Sequence, residues 1–233
     1  MVSDLVDLWP ALLSCRQIDA VDAQLATAAG LDPVRHKSAG LVTCDQDDAL
    51  YVALDHCTKF ARVDVVFAKS CYAGSKHASG PLSGEILGII AGEHPAEVEE
   101  ALLALREHLR VVRFQSFRGD VVGGHGQPAF LAHVIAEIGR YLAPQAGIAP
   151  GESMAYLIAP PLESVLAVDA ALKAADVTLA KWIAPPSETN FGGAFLTGEL
   201  PALEAARDAF VDAIRELCRA PLAAARRPDR MRR

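Results

Sequence analysis

Asp55-His56-Cys57-Thr58-Lys59, with Ala61 and Val63 behind it, returns as Asp169-Ala170-Ala171-Leu172-Lys173 with Ala175 and Val177, an offset of 114 (169 − 55). Upstream, Ala29-Gly30-Leu31-Asp32-Pro33 returns as Ala146-Gly147-Ile148-Ala149-Pro150 at 117 (147 − 30). Downstream, Gly92-Glu93 and Pro95-Ala96 return as Gly198-Glu199 and Pro201-Ala202 at 106 (198 − 92). Three matches in one order at slowly drifting offsets mean two copies of one domain. Two like halves in one chain can assemble with pseudo-symmetry, which points to assembly before catalysis. The drop from 114 to 106 gives the first copy eight extra residues, mainly in the polar, Gly-rich Ser70–Ser83 stretch. Extra length in one loop of a duplicated pair is where copies specialise.

The bulk properties bound the rest. A chain of 233 residues holds two domains of about 100 residues each. With 52% hydrophobic and 22% charged residues it reads as globular. No apolar run reaches the roughly 18–20 residues of a membrane span, and the N-terminus lacks a signal-peptide pattern, so the expected location is cytoplasmic. The five cysteines (Cys15, Cys44, Cys57, Cys71 and Cys218) show no C-x-x-C spacing and read as free thiols. A net charge of −7 excludes general nucleic-acid binding. The basic run 226–233 reads as a solvated terminus.

Periodicity predicts a helical segment over 5–29, from Leu13, Ile18, Val21, Leu25 and Ala28. Leu41-Val42-Thr43 and Leu50-Tyr51-Val52-Ala53 read as β-prone runs around the acidic turn 45–48, and Asp55 as the cap of a helix through Lys59 and Ala61. Strands follow at 63–68 and 85–91, then a helix opened by Pro95. The second copy repeats the order: helix 130–142, strand 156–159, helix 165–175, strand 178–183, loop 184–190, strand 194–197, and a helix opened by Pro201. Arg113–Gln127, with Gly119, Gly123, Gly124 and Gly126, reads as a flexible connection. The division is a first domain at 1–112, a second at 113–222 and a basic tail at 223–233.

Lys173-Ala174-Ala175-Asp176-Val177, on a helix leading into a strand, resembles the signature of bacterial microcompartment shell domains. Further segments resemble the tandem-domain, trimer-forming class, in its L-type ethanolamine-utilisation branch. These are Ser70-x-Tyr72-Ala73-Gly74, Phe130-Leu131-Ala132-His133-Val134, Met154-Ala155-Tyr156-Leu157-x-Ala159-Pro160-Pro161-Leu162-Glu163 and Pro185-Pro186-Ser187-Glu188-Thr189-Asn190. The resemblance covers about residues 10–220. It implies an α/β (α+β) fold of two tandem, circularly permuted shell domains, each a small sheet flanked by helices. The permutation agrees with the helix read at the start of each half. It further implies a homotrimer of six domains that tiles with other shell proteins into an organelle wall, with a loop-gated central pore and a small acidic pore in each subunit.

Asp47 and Asp48 have an ordinary reading as turn formers. The resemblance places them at the small pore with Glu85, Phe114 and the loop Ser187, Glu188, Thr189 and Asn190. Such a site suits a small protonated amine or amino alcohol: carboxylates for the ammonium, Ser187 or Thr189 for the hydroxyl. Passage requires weak binding, on the order of millimolar, or about −4 kcal/mol. Ser70, Tyr72, Ala73, Gly74 and His77 fall in the loop that the resemblance assigns to gating the central pore, although Tyr72 reads equally as a core aromatic. Lys59 and Lys173, equivalent in the two copies, read as solvated helix lysines or, by resemblance, as edge residues donating to a neighbour's carbonyls.

His56, Cys57, Cys71 and His77 match no zinc framework, so no metal or cofactor is expected. Cys71 with His77 lacks a third residue to orient a nucleophile–base pair. Gly123-Gly124-His125-Gly126 lacks the phosphate-loop pattern. The reading is a non-enzymatic shell component. A small-molecule sensor with a duplicated α/β domain, and an enzyme built on Cys71 or the acidic cluster, are the competing classes.

Overall fold

The computed structural model describes residues 4–71, 85–119, 127–185 and 187–221. The first half runs β1 (Leu5–Leu8), β2 (Leu12–Ile18), α1 (Ala23–Ala28), β3 (Ser38–Cys44), α2 (Asp47–Cys57), β4 (Val63–Ser70), β5 (Ile86–Gly92) and α3 (Pro95–His108). After β6 (Phe114–Phe117), the second half repeats it: β7 (Leu131–Ile135), α4 (Ala143–Ala146), β8 (Met154–Ala159), α5 (Pro161–Ala174), β9 (Thr178–Ile183), β10 (Gly192–Thr197) and α6 (Leu200–Arg219). Each half forms one antiparallel four-stranded sheet, ordered β2-β3-β5-β4 and β7-β8-β10-β9. Position for position the two orders are the same. Gly30 and Gly147, paired by the 117 offset, both take left-handed φ, 68° and 69°, which glycine adopts at no steric cost.

The β4–β5 connection spans residues 71–85, fifteen in all, against eight at 184–191 between β9 and β10. Seven (15 − 8) of the eight extra residues expected in the first copy therefore sit in this hairpin.

Several expectations need correction. The segment 5–29 is two strands before the short α1, not one helix. Pro10 interrupts any helix there, and β2 is only half-buried, so the spacing of its apolar residues was coincidental. Likewise 130–142 is β7 followed by turns, so each half opens on a strand. Residues 50–53 lie inside α2, whose residues are buried on every side except at His56. A helix enclosed all round loses its amphipathic period and reads as a buried strand. Finally, the connection after Arg113 contains β6, which pairs antiparallel with β1 (Leu5 opposite Phe117). Its residues 120–126, like the tail from 222, lie outside the described residues.

The reason α2 is enclosed is that the second half covers it. One core packs Leu50, Leu54 and Ile90 of the first half with Ile138, Leu142, Met154 and Tyr156 of the second. A separate core, formed by Phe130, Leu157, Phe195's neighbour Leu196, Leu203 and Phe210, lies between the second sheet and α5 and α6.

Asp55 sits at the C-terminal end of α2 and does not cap that helix's start. Its carboxylate accepts backbone N–H groups from Gly139 (2.6 Å), Tyr141 (3.1 Å) and Leu142 (2.7 Å). Thr58 Oγ1 accepts from Arg140 N at 2.9 Å, and Lys59 Nζ donates to the Glu137 carbonyl at 2.9 Å. The approach is close enough that a Cβ at position 139 would lie 2.3 Å from the Asp55 carbonyl, so glycine is required. The repeated segment thus forms a clasp between the halves.

Candidate functional site

Asp47 and Asp48 occupy the first turn of α2, where unpaired N–H groups and the helix dipole favour negative charge. Asp48 N donates to Asp47 Oδ1 at 2.9 Å, and Ser70 Oγ donates to Asp47 Oδ2 at 3.1 Å. Ser70 Oγ also lies 3.3 Å from the Glu85 carbonyl, which ties the end of β4 to the start of β5. Asp48 is only 2% exposed. Tyr156 Oη, from β8, donates to its Oδ1 at 2.6 Å. Asp48 Oδ2 makes no hydrogen bond of good geometry among the described residues, although the Thr189 hydroxyl is near enough to favour its ionised form.

Along α2, Tyr51 follows Asp48 at i+3 and so shares its face. Tyr51 Oη donates to Glu188 Oε1 and accepts from Ser70 N at 3.0 Å. Between β9 and β10 the chain turns tightly: Thr189 N donates to Ser187 Oγ at 3.2 Å, and Asn190 takes φ 61°, which asparagine tolerates. These elements enclose a cavity of about 380 Å³ lined by Asp48, Tyr51, Tyr156, Lys181, Glu188 and Thr189, with Ser187 at its wall.

Burial is the main cause of the unusual electrostatics. It raises the Asp47 carboxyl above its ordinary value, and with the neighbouring Asp47 charge it pushes Asp48 up to about 7. Burial likewise raises the Tyr51 and Tyr156 hydroxyls, so both remain donors at neutral pH.

The structure therefore brings together Asp48, Ser187, Glu188 and Thr189 around the cavity, while Asp47 lies outside its lining and is held by Ser70. Glu85 stands at the margin, acting on Asp47 through charge. Phe114 is buried but is not part of the cavity lining, and its ring tilts by 42° against Phe191 with centroids 5.8 Å apart. Asn190 is exposed and shapes the turn. Ser70, expected in the gating loop, serves the acidic site instead as donor to Asp47. Tyr72, Ala73, Gly74 and His77 lie outside the described residues. Lys173 is exposed and pairs with Asp169 one turn earlier at 2.5 Å, unlike the clasped Lys59. Sequence reasoning missed Tyr51, Tyr141 and Lys181. The i+3 spacing of Asp48 and Tyr51 would have shown the first, had 47–57 been read as helix.

A second cluster lies at the clasp. His56 stacks on His108 with centroids 3.8 Å apart, and His133 meets His108 edge-on at 6.1 Å. Burial lowers them to about 4, 3 and 4 respectively, so all three are neutral at pH 7. Among the described residues no group of three His, Cys, Asp or Glu side chains has metal-binding geometry, and no helix is long and apolar enough to cross a membrane.

Comparison with known proteins places this geometry in context. Residues 38–121 match the family description "BMC domain". The chain is 46% identical over 223 residues to the bacterial microcompartment shell protein EutL of Clostridium perfringens, covering 95% of this chain and 99% of that protein. It is 44% identical to EutL of Escherichia coli, covering 91% and 95%. The crystal structure of the ethanolamine utilization protein EutL from Leptotrichia buccalis superposes with a TM-score of 0.88 at 44% identity, over 95% of this chain and 100% of that one.

Proposed function

The chain belongs to the EutL family of bacterial microcompartment shell proteins, and from that membership we propose how it builds and pierces the wall. It is a structural shell component, not an enzyme, with two tandem, circularly permuted domains that assemble alongside other shell proteins. The domains divide at about residue 112, a division supported by the matching sheet orders.

Three chains close head to tail into a ring of six domains. What supports this is one observation: the face that α2 buries within the chain is bare on α5. Asp48, Tyr51 and Val52 correspond, at the 114 offset, to Leu162, Val165 and Leu166, which are 60%, 47% and 50% exposed. The covering surface is bare as well. Leu142, 1% exposed against α2, corresponds at the 117 offset to Leu25 at the start of the first half, 53% exposed. A heterologous contact of α1 on one chain with α5 on the next covers both patches and repeats the internal interface. Sedimentation at micromolar concentration is expected to show three chains per particle; a stable monomer overturns the reading.

The acidic cavity is the small pore. Its buried carboxylate Asp48, reinforced by the neighbouring Asp47 charge, takes the ammonium of a small amine or amino alcohol, and Ser187 and Thr189 its hydroxyl. Asp48 Oδ2, which makes no hydrogen bond of good geometry among the described residues, has room to accept an N–H of a cationic occupant, and this supports the assignment. Replacing both Asp47 and Asp48 by Asn is expected to abolish millimolar amine binding; unchanged calorimetric affinity sinks the assignment. The longer 71–85 connection, counterpart of the 184–191 loop at the cavity, is assigned to the central pore, and Lys59 and Lys173 to the tiling edge.

A further inference from the structure

Asp48 lines the acidic cavity and Asp47 precedes it in the chain, buried but outside the lining, while the only lining cation among the described residues is Lys181, whose Nζ lies 5.3 Å from the centre of the Phe195 ring. Every other group facing Asp48 is neutral or negative: Tyr156 from β8, Thr189 and Glu188 from the turn, Tyr51 and Asp47 on α2 itself, with Glu85 beyond Asp47. Among the described residues no ion pair reaches either aspartate. Two adjacent buried carboxylates without a bonded cation cannot both be ionised at low cost, so the pair retains a proton when the cavity is empty.

Resting on the small-pore reading, we propose that an ammonium enters this cavity in exchange for that proton. The balance is simple. The empty pair carries one proton and one negative charge. When the ammonium arrives, Asp48 releases its proton to solvent, Oδ2 accepts an N–H of the ligand, and the neighbouring Asp47 charge adds to the attraction. Tyr156 keeps its hydrogen bond to Oδ1 throughout, since its own hydroxyl is held far from ionisation. With Asp48 titrating at about 7, the exchange operates across neutral pH. Acidity on either side of the wall would then empty the site, and alkalinity would fill it.

The experiment measures affinity for 2-aminoethanol between pH 5 and 8, a range over which this probe stays an ammonium. If one proton is displaced, affinity rises about tenfold per pH unit below the break and levels off above it. Asp47→Asn removes the like charge, so its break is expected at least one pH unit lower. Binding with the same affinity at pH 5 and 8 overturns the exchange while leaving the pore assignment standing. No binding at any pH overturns both. Folding of the variant is checked by its retained trimer, which the substitution does not touch.

Discussion

Helices α2 and α5 occupy equivalent places in the two halves yet face opposite surroundings. On α2 the face carries Asp48, Tyr51 and Asp55 and is sealed by the second half; on α5 the same positions carry Leu162, Val165 and Asp169 and are open. Polar groups could be kept on the sealed face because each finds a partner within the same chain, namely backbone N–H groups for Asp55, Glu188 for Tyr51 and Tyr156 for Asp48. An interface that must form between separate chains gains more from apolar area, which needs no exact partner. In the assembly proposed above, duplication lets one interface acquire chemistry while the other keeps adhesion.

The sharpest way to break this contrast is Asp55→Ala. It strands three backbone N–H groups at the clasp and is expected to cost about 3 kcal/mol or more in denaturant unfolding. Next comes Leu166→Glu on α5, which should leave the fold intact and weaken chain association at least tenfold, about 1.4 kcal/mol, by sedimentation. If the trimer is unmoved, α5 is not the contact. Asp169→Ala, equivalent to the first change, breaks only an exposed ion pair, and should shift stability by less than about 0.5 kcal/mol.

The histidine stack also belongs to one side only, since α5 has Ala170 where α2 has His56. Its histidines titrate lower in the fold than in the unfolded chain, so the unfolded chain takes up more protons below pH 6.5. Their contribution is therefore full above that pH and lost as pH falls toward 3–4. The raised carboxyls of Asp47, Asp48 and Asp55 act in the opposite direction, so the comparison is with a variant that shares them. His108→Gln is expected to flatten the acid limb by up to about 1.4 kcal/mol per pH unit between pH 6 and 4. An unchanged slope in paired unfolding curves removes the stack from the pH response.

The contrast also explains what could be read from the sequence. Elements with one exposed face, such as β4, α3 and α6, kept their periods, and Pro95 and Pro201 marked their starts. Shell-family motifs survived at Lys173 and around Tyr156. What failed was α2, because a helix enclosed by two domains has no polar stripe, and with it went the partners of Asp48 along that helix. Asp55 was singled out but given the wrong task, since its three partners lie more than 80 residues away in the turn at 139–142. Such long-range capping leaves no local trace. The 5–29 segment failed for a different reason: strands β1 and β2 are defined by pairing with β6 and β3, which spacing within the segment does not encode.

Among the described residues the acidic cavity is lined from both halves of the chain, by Asp48 and Tyr51 on one side and Tyr156, Lys181 and Thr189 on the other. Because the backbone joins these walls, their meeting is a first-order event whose equilibrium does not depend on how dilute the chain is. The contact proposed for α5 is second-order and is lost on dilution. The two interfaces thus differ in their response to concentration as well as in their chemistry.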